Sequence, residues 1–179
     1  MNRHHIGIVA CSAEGAALCY RTICNEAQET MGEHMHPEVS MIPFIHIAEA
    51  VAGEATKRGY TSVGLTGTKY LMTSPVYPVV LDGVGIECMV PDRGEREQID
   101  FIIFKELVNG IFPEESRLYL NEVIGKFRAR GAEAVILGCT EIPLIVRPDD
   151  CPLPTLDSTR LLARAALARV FSGEPSIGV

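Results

Sequence analysis

Cys139, Thr140 and Glu141 form the most reactive constellation in the chain, placed between a four-residue apolar run, Ala134 to Leu137, and the apolar stretch that begins at Ile142. A thiol where a strand ends and a helix begins faces exposed backbone N–H groups and the positive end of the helix dipole. Both favour thiolate and are expected to lower the thiol pKa. The same N–H groups suit a substrate carboxylate. Such a thiol can take a proton from carbon beside a carboxylate if the site stabilises the enolate-like charge that develops. Glu141, two residues on, is placed to orient the thiol or exchange a proton with it, and Thr140 offers a hydroxyl and an N–H. The other reading of Cys139 is an inert cysteine packed behind the strand end, a common fate for this residue type.

Stepping outward, the polar residues that share this placement lie in two further loops. Cys11 and Ser12 follow the run Ile6 to Val9, and Thr66 to Thr68 follow Ser62 to Leu65. Thr68 divides between a substrate-binding hydroxyl and a helix cap, and Asp157 and Ser158 between capping and site polarity. Lys69 and Arg147 are the candidate cations for a dicarboxylate. His34 and His36 have no third ligand at suitable spacing and read as loop histidines, so no metal is expected. His46 reads as structural, and His4 and His5 as solvated.

The elements that must carry these loops alternate. Strands are expected at Ile6 to Val9, Ser62 to Leu65, Ile86 to Val90, Ala134 to Leu137 and Leu153 to Leu156. Helices are expected in the alanine-rich stretch that follows Gly15 and ends around Gly32 to Pro37, from Ile45 to Lys57, Glu95 to Ile111, Glu114 to Arg130 and from Asp157 or Ser158 onward. Pro75 and Pro78 punctuate the segment between the second and third strands. This alternation predicts an α/β fold with parallel sheets, whose ligands sit outside the carboxyl ends of the strands.

Composition narrows the classes of function. The chain has 179 residues, 47% of them hydrophobic, enough for one domain or two small lobes. Sixteen basic against 23 acidic residues give a formal charge of −7 with no basic stripe, which argues against nucleic-acid and anionic-membrane partners. The six cysteines are scattered without CxxC spacing and fit a reducing compartment. Glu14 interrupts the one N-terminal stretch that could pass for a signal peptide, and no run approaches the roughly 18 apolar residues of a membrane span. A cytoplasmic location is expected.

VILGCTEIPLI resembles the second-half catalytic segment of the cofactor-independent aspartate/glutamate racemases. IPFIHIAEA, VGLTGTKYLM, EREQID and PTLDSTRLLARAAL resemble that family in the family's order, and IGIVACSAEGAALCYRTIC stands where its opening strand and substrate loop would be. The resemblance covers most of the chain. It implies two pseudo-symmetric Rossmann-like α/β lobes, here residues 1–58 with 156–179 and residues 59–155, a site between them, and commonly a homodimer. It implies Cys139 as an acid/base thiol and puts Cys11 and Ser12 in the substrate loop; Glu141, Thr68 and Thr140 join them as candidate site residues on the chemistry given above. The implied ligand is a small amino or carboxylic acid, with no cofactor.

The resemblance has one gap. The family's first catalytic segment, a CNT-type strand end, has no counterpart, and HPEVSM runs directly into IPFIHI. A strand–helix–strand unit of about 30 residues is expected to be missing near Met41 and Ile42, leaving the first lobe incomplete. Racemisation removes a proton from one face of the carbon and delivers another to the opposite face, so two positioned groups are required. Cys11 is a candidate second thiol at a strand end, its other reading being a small residue in a tight loop. One-sided chemistry of the arylmalonate decarboxylase type, or carboxylate binding without turnover, are the alternatives.

Overall fold

The computed structural model describes residues 5–8, 23–24, 27, 31, 38–41 and 46–171. Compactness divides the chain into residues 1–46 with 172–179, and residues 47–171. In the first unit β1 (His5–Ile8) and β2 (Glu38–Met41) pair in parallel, His5 opposite Glu38 and Ile8 opposite Met41. Sequence reading had no strand at β2. Cys11, Ser12, His34 and His36 lie outside the described residues, as does Ile42, and with it the expected break.

The second unit is an α/β layer structure around a four-stranded parallel sheet of order β4-β3-β5-β6, with β3 (Ser62–Thr66), β4 (Glu87–Met89), β5 (Ala134–Leu137) and β6 (Thr155–Asp157). Every residue of β3 and β5 is buried. Since side chains alternate between faces, both faces of these central strands are covered, as parallel sheets require.

The covering helices are α1 (Ile47–Lys57), α2 (Lys69–Thr73), α3 (Val76–Asp82), α4 (Arg93–Lys105), α5 (Glu114–Ala129), α6 (Ile142–Ile145) and α7 (Ser158–Phe171). α1 buries Ala48, Val51, Ala52 and Ala55, small residues that allow close packing, and lies against α3 and α7. α5 buries Leu120, Val123, Ile124 and Phe127 at helical spacing. α4 starts at a capping box in which Asp92 accepts from the Glu95 N–H at 2.8 Å and Glu95 accepts from the Asp92 N–H at 2.9 Å.

Two departures from expectation have local causes. The segment with Pro75 and Pro78 is helical, because Pro75 is the N-cap of α3 and Pro78 falls in its first turn, where no intrahelical N–H is needed. The helix expected to reach Ile111 stops at Lys105. Glu106 is its C-cap, its N–H still bonded to the Ile102 carbonyl; a 3-10 turn covers Leu107–Asn109, and Gly110 closes it with φ at +72°.

Candidate active site

The chain leaves β3 toward one side of the sheet, forming β4, and returns to form β5 on the other side of β3. The strand order therefore reverses between β3 and β5. In open α/β sheets the crevice outside the carboxyl ends at such a reversal is where ligands bind. The two loops at this point are Gly67–Thr68 after β3 and Gly138–Glu141 after β5.

Two hydrogen bonds onto backbone carbonyls tie these strand ends together. The Gly138 N–H donates to the Thr66 carbonyl at 2.8 Å, and the Thr66 hydroxyl donates to the Ile136 carbonyl at 2.9 Å. A Cβ on Gly138 would lie 2.8 Å from the Thr66 carbonyl oxygen and 2.5 Å from Leu71 Cδ2, so only glycine fits where the turn crosses its neighbour. From the other side, the buried Ser158 hydroxyl donates to the Leu137 carbonyl at 2.8 Å and shares a hydrogen bond with buried Tyr77. The residue before the Gly138–Glu141 turn is thereby tied to the start of α7.

On this support the Cys139 thiol, half-buried, donates to Glu141 Oε2 at 2.8 Å. Thr140 is exposed and its side chain also hydrogen-bonds Glu141. These bonds hold the Glu141 carboxyl below the usual carboxylate range. The thiol moves the other way, up to about 11, first because burial disfavours its charged form and then because the carboxylate beside it does. The backbone N–H groups of Glu141 and Thr140 act in the expected direction, toward thiolate, and are outweighed. α6 is a single turn, so its dipole is small. The expectation of a lowered thiol pKa is corrected: at neutral pH the pair is a neutral thiol donating to an ionised carboxylate.

Thr68, at the adjacent strand end, caps α2, its hydroxyl accepting from the Leu71 N–H at 3.3 Å. Asp157 caps α7, accepting from the Arg160 N–H at 3.0 Å. Lys69 pairs with Glu97 at 3.7 Å across exposed surface, and Arg147 is exposed. Ser158, expected as a cap or as site polarity, holds the Leu137 carbonyl. Two positioning residues escaped sequence reading: Leu71, which limits the space at Gly138, and Asp100, which accepts from the Lys69 N–H at 2.7 Å. Each acts on a residue distant in sequence or through burial, and local pattern carries no signal for either.

Among the described residues no group of His, Cys, Asp and Glu could hold a metal ion, and no helix is long and apolar enough to cross a membrane. The arrangement defines a parallel α/β protein with a thiol–carboxylate pair at the switch point of its sheet.

Comparison with known proteins places it more closely. The chain belongs to the Asp/Glu/Hydantoin racemase family, whose profile matches residues 7–166. It is similar to the solved structure of an aspartate racemase homologue from Pyrococcus horikoshii OT3, at 25% identity and a TM-score of 0.68, over 93% of this chain and 98% of that one. It is also similar to an aspartate racemase from Picrophilus torridus, at 26% identity and a TM-score of 0.57, over 83% of this chain and 59% of that one. A glutamate racemase from Francisella tularensis, solved with D-glutamate, shares the fold at 16% identity and a TM-score of 0.54, over 84% of this chain and 52% of that one.

Proposed function

We propose that the protein is a cofactor-independent isomerase that moves a proton at the alpha carbon of a small amino or carboxylic acid, Asp- or Glu-like, through the Cys139 thiol. The observation that carries this reading is the Cys139–Glu141 hydrogen bond of 2.8 Å at the sheet's switch point. It supplies a proton donor and a ready acceptor in one turn, where a substrate carboxylate would meet strand-end N–H groups. In this reading Thr140 and Thr68 contact the substrate, with Cys11 and Ser12 completing the binding set. The working form is a cytoplasmic homodimer with lobes at residues 1–58 with 156–179 and 59–155. The first lobe is incomplete near Met41.

The test is isotope exchange in deuterium oxide across D- and L-amino acids, including aspartate and glutamate, followed by mass spectrometry. Deuterium is expected at the alpha carbon, and Cys139→Ala should abolish it. No exchange with any member of the panel would overturn the proposal.

A second reading is favoured by the protonation state of the thiol. A thiol pushed up to about 11 is, at neutral pH, an acid ready to deliver a proton to a carbanion. That suits one-sided reprotonation after loss of carbon dioxide from a substituted malonate, and it needs no second thiol. Carbon dioxide release from arylmalonates with no alpha-carbon exchange of amino acids would select it.

A further inference from the structure

A concavity of about 150 Å³ opens in the second unit, on the side of the β5 and β6 ends toward α7. Leu137 and Leu161 line it and are buried, whereas Arg58, Arg160 and Arg164 line it and are exposed. An apolar floor therefore lies beneath a rim that brings together three of the chain's 16 basic residues, in a protein of net charge −7.

The arginines are unequally committed. Arg58 Nε donates to Glu54 at 2.7 Å and its side chain also hydrogen-bonds Tyr60, and Arg160 is ion-paired with Asp157. Both oxygens of Asp157 are taken by Arg160, one by its N–H and one by its guanidinium, so this carboxylate is neutralised where it faces the concavity. Arg164 has no hydrogen-bond or ion-pair partner among the described residues. It sits four residues after Arg160, on the same face of α7. Arg160's charge is already met by Asp157, so Arg164 carries the uncompensated charge of this face, and its guanidinium fork matches the geometry of an oxyanion.

We propose that this concavity is a binding site for a small organic anion with an apolar body. Its oxyanion head is held by Arg164 with the free arms of Arg58 and Arg160, and its hydrocarbon part rests on Leu137 and Leu161. The volume is well below the ~300–1,000 Å³ of pockets that take drug-sized ligands, which restricts the occupant to a short-chain acid. Cys139, Thr140 and Glu141 do not line it, yet Leu137 and Pro143, which flank that turn on either side, do. The occupant lies behind the catalytic turn and touches its supports.

The full chain is tested with hexanoate, uncharged hexanamide and sulfate. Binding is read from the thermal unfolding midpoint and from the arginine Nε–H resonances. Hexanoate should raise the midpoint saturably and shift the resonances of the three arginines. Hexanamide should do neither, and sulfate should act more weakly. Arg164→Gln should raise the half-saturating hexanoate concentration about tenfold, the loss expected for one charge-assisted hydrogen bond, and Arg164→Lys less. Cys139→Ser should bind hexanoate as the parent does. An unchanged response in Arg164→Gln, an equal response to hexanamide, or loss of the response in Cys139→Ser would overturn the proposal. Sulfate as effective as hexanoate would remove the apolar floor's part in it. None of these outcomes bears on alpha-carbon exchange.

Discussion

Glu141→Gln should make Cys139 more reactive near neutral pH. A carboxylate that activated the thiol as a base would give the opposite result. The structure has the thiol pushed up from an ordinary 9.0 to about 11. At pH 8 a thiol of pKa 9 is about one part in eleven thiolate and one of pKa 11 about one part in a thousand, a difference of about a hundredfold. Lowering the pKa also weakens the nucleophile. With a Brønsted coefficient of about 0.4–0.5, each unit gained in ionisation returns only about threefold in rate. Complete recovery to 9.0 would therefore speed thiol–disulfide exchange about tenfold at pH 8. Burial is the larger cause of the shift and survives the substitution. The expected gain is thus a few-fold.

The assay is labelling by a neutral methanethiosulfonate between pH 7 and 12, quenched in acid, with the Cys139 peptide quantified by mass spectrometry. Cys88 is the internal reference, since its thiol is also raised to about 11, by burial alone. Its rate should be the same in both proteins. Above about pH 11 both forms of Cys139 are ionised, and the parent, with the more basic thiolate, should become the faster. A Glu141→Gln protein whose Cys139 labels no faster than the parent's at pH 8 would refute the account of the raised pKa. The linkage has a definite sign. The raised Cys139 pKa contributes stability that is complete below 9.0 and lost as pH rises through about 11, while the lowered Glu141 pKa contributes above 4.5 and is lost as pH falls.

Two further substitutions test the supports. Gly138→Ala puts a methyl 2.8 Å from a backbone carbonyl that is itself fixed in the sheet, and should cost about 1–3 kcal/mol. At about 2–4 °C per kcal/mol this is a clear fall in the melting midpoint, and an unchanged midpoint would show that the turn is looser than described. Glu133 accepts from the Thr61 N–H at 2.6 Å, the Thr61 hydroxyl at 2.9 Å and the Ser62 N–H at 3.2 Å, pinning the entry of β3 to that of β5 and holding its own pKa below the usual range. Glu133→Gln should lower the midpoint at pH 7. The gap should close as pH falls below 4.5 and the parent carboxylate is protonated, and a gap independent of pH would refute the role given to the charge.

Much of this architecture was legible because its determinants are local. Ala134 to Leu137 is an uninterrupted apolar run ended by glycine, and its burial on both faces follows from that composition. The racemase family was likewise legible in GCTEIP and PTLDS, and the profile match bears it out. Pro75 and Pro78 misled because their position in a turn matters more than their presence: they stand at the start of α3. β2 was missed because Glu38 to Met41 has a strand's identity only through pairing with β1.

The state of the site's thiol was beyond local reading for a deeper reason. Spacing places Glu141 near Cys139, and a carboxylate near a thiol can act as base toward it or as acceptor from it. Which role prevails depends on how much water the thiol loses, a quantity fixed by how the half-buried cysteine packs against the hydrophobic core. Here dehydration and the adjacent charge act in the same direction and exceed the turn's N–H groups, so the thiol rests protonated. A substrate that displaces Glu141's hold, or brings a cation to the turn, must supply the difference before Cys139 can act as a base. A malonate that becomes a carbanion in the site by losing carbon dioxide needs a protonated thiol and no thiolate. Under the proposed readings the first proton to move is therefore set by how charge develops on the substrate, which is why the exchange and decarboxylation assays separate the two where the residues alone do not.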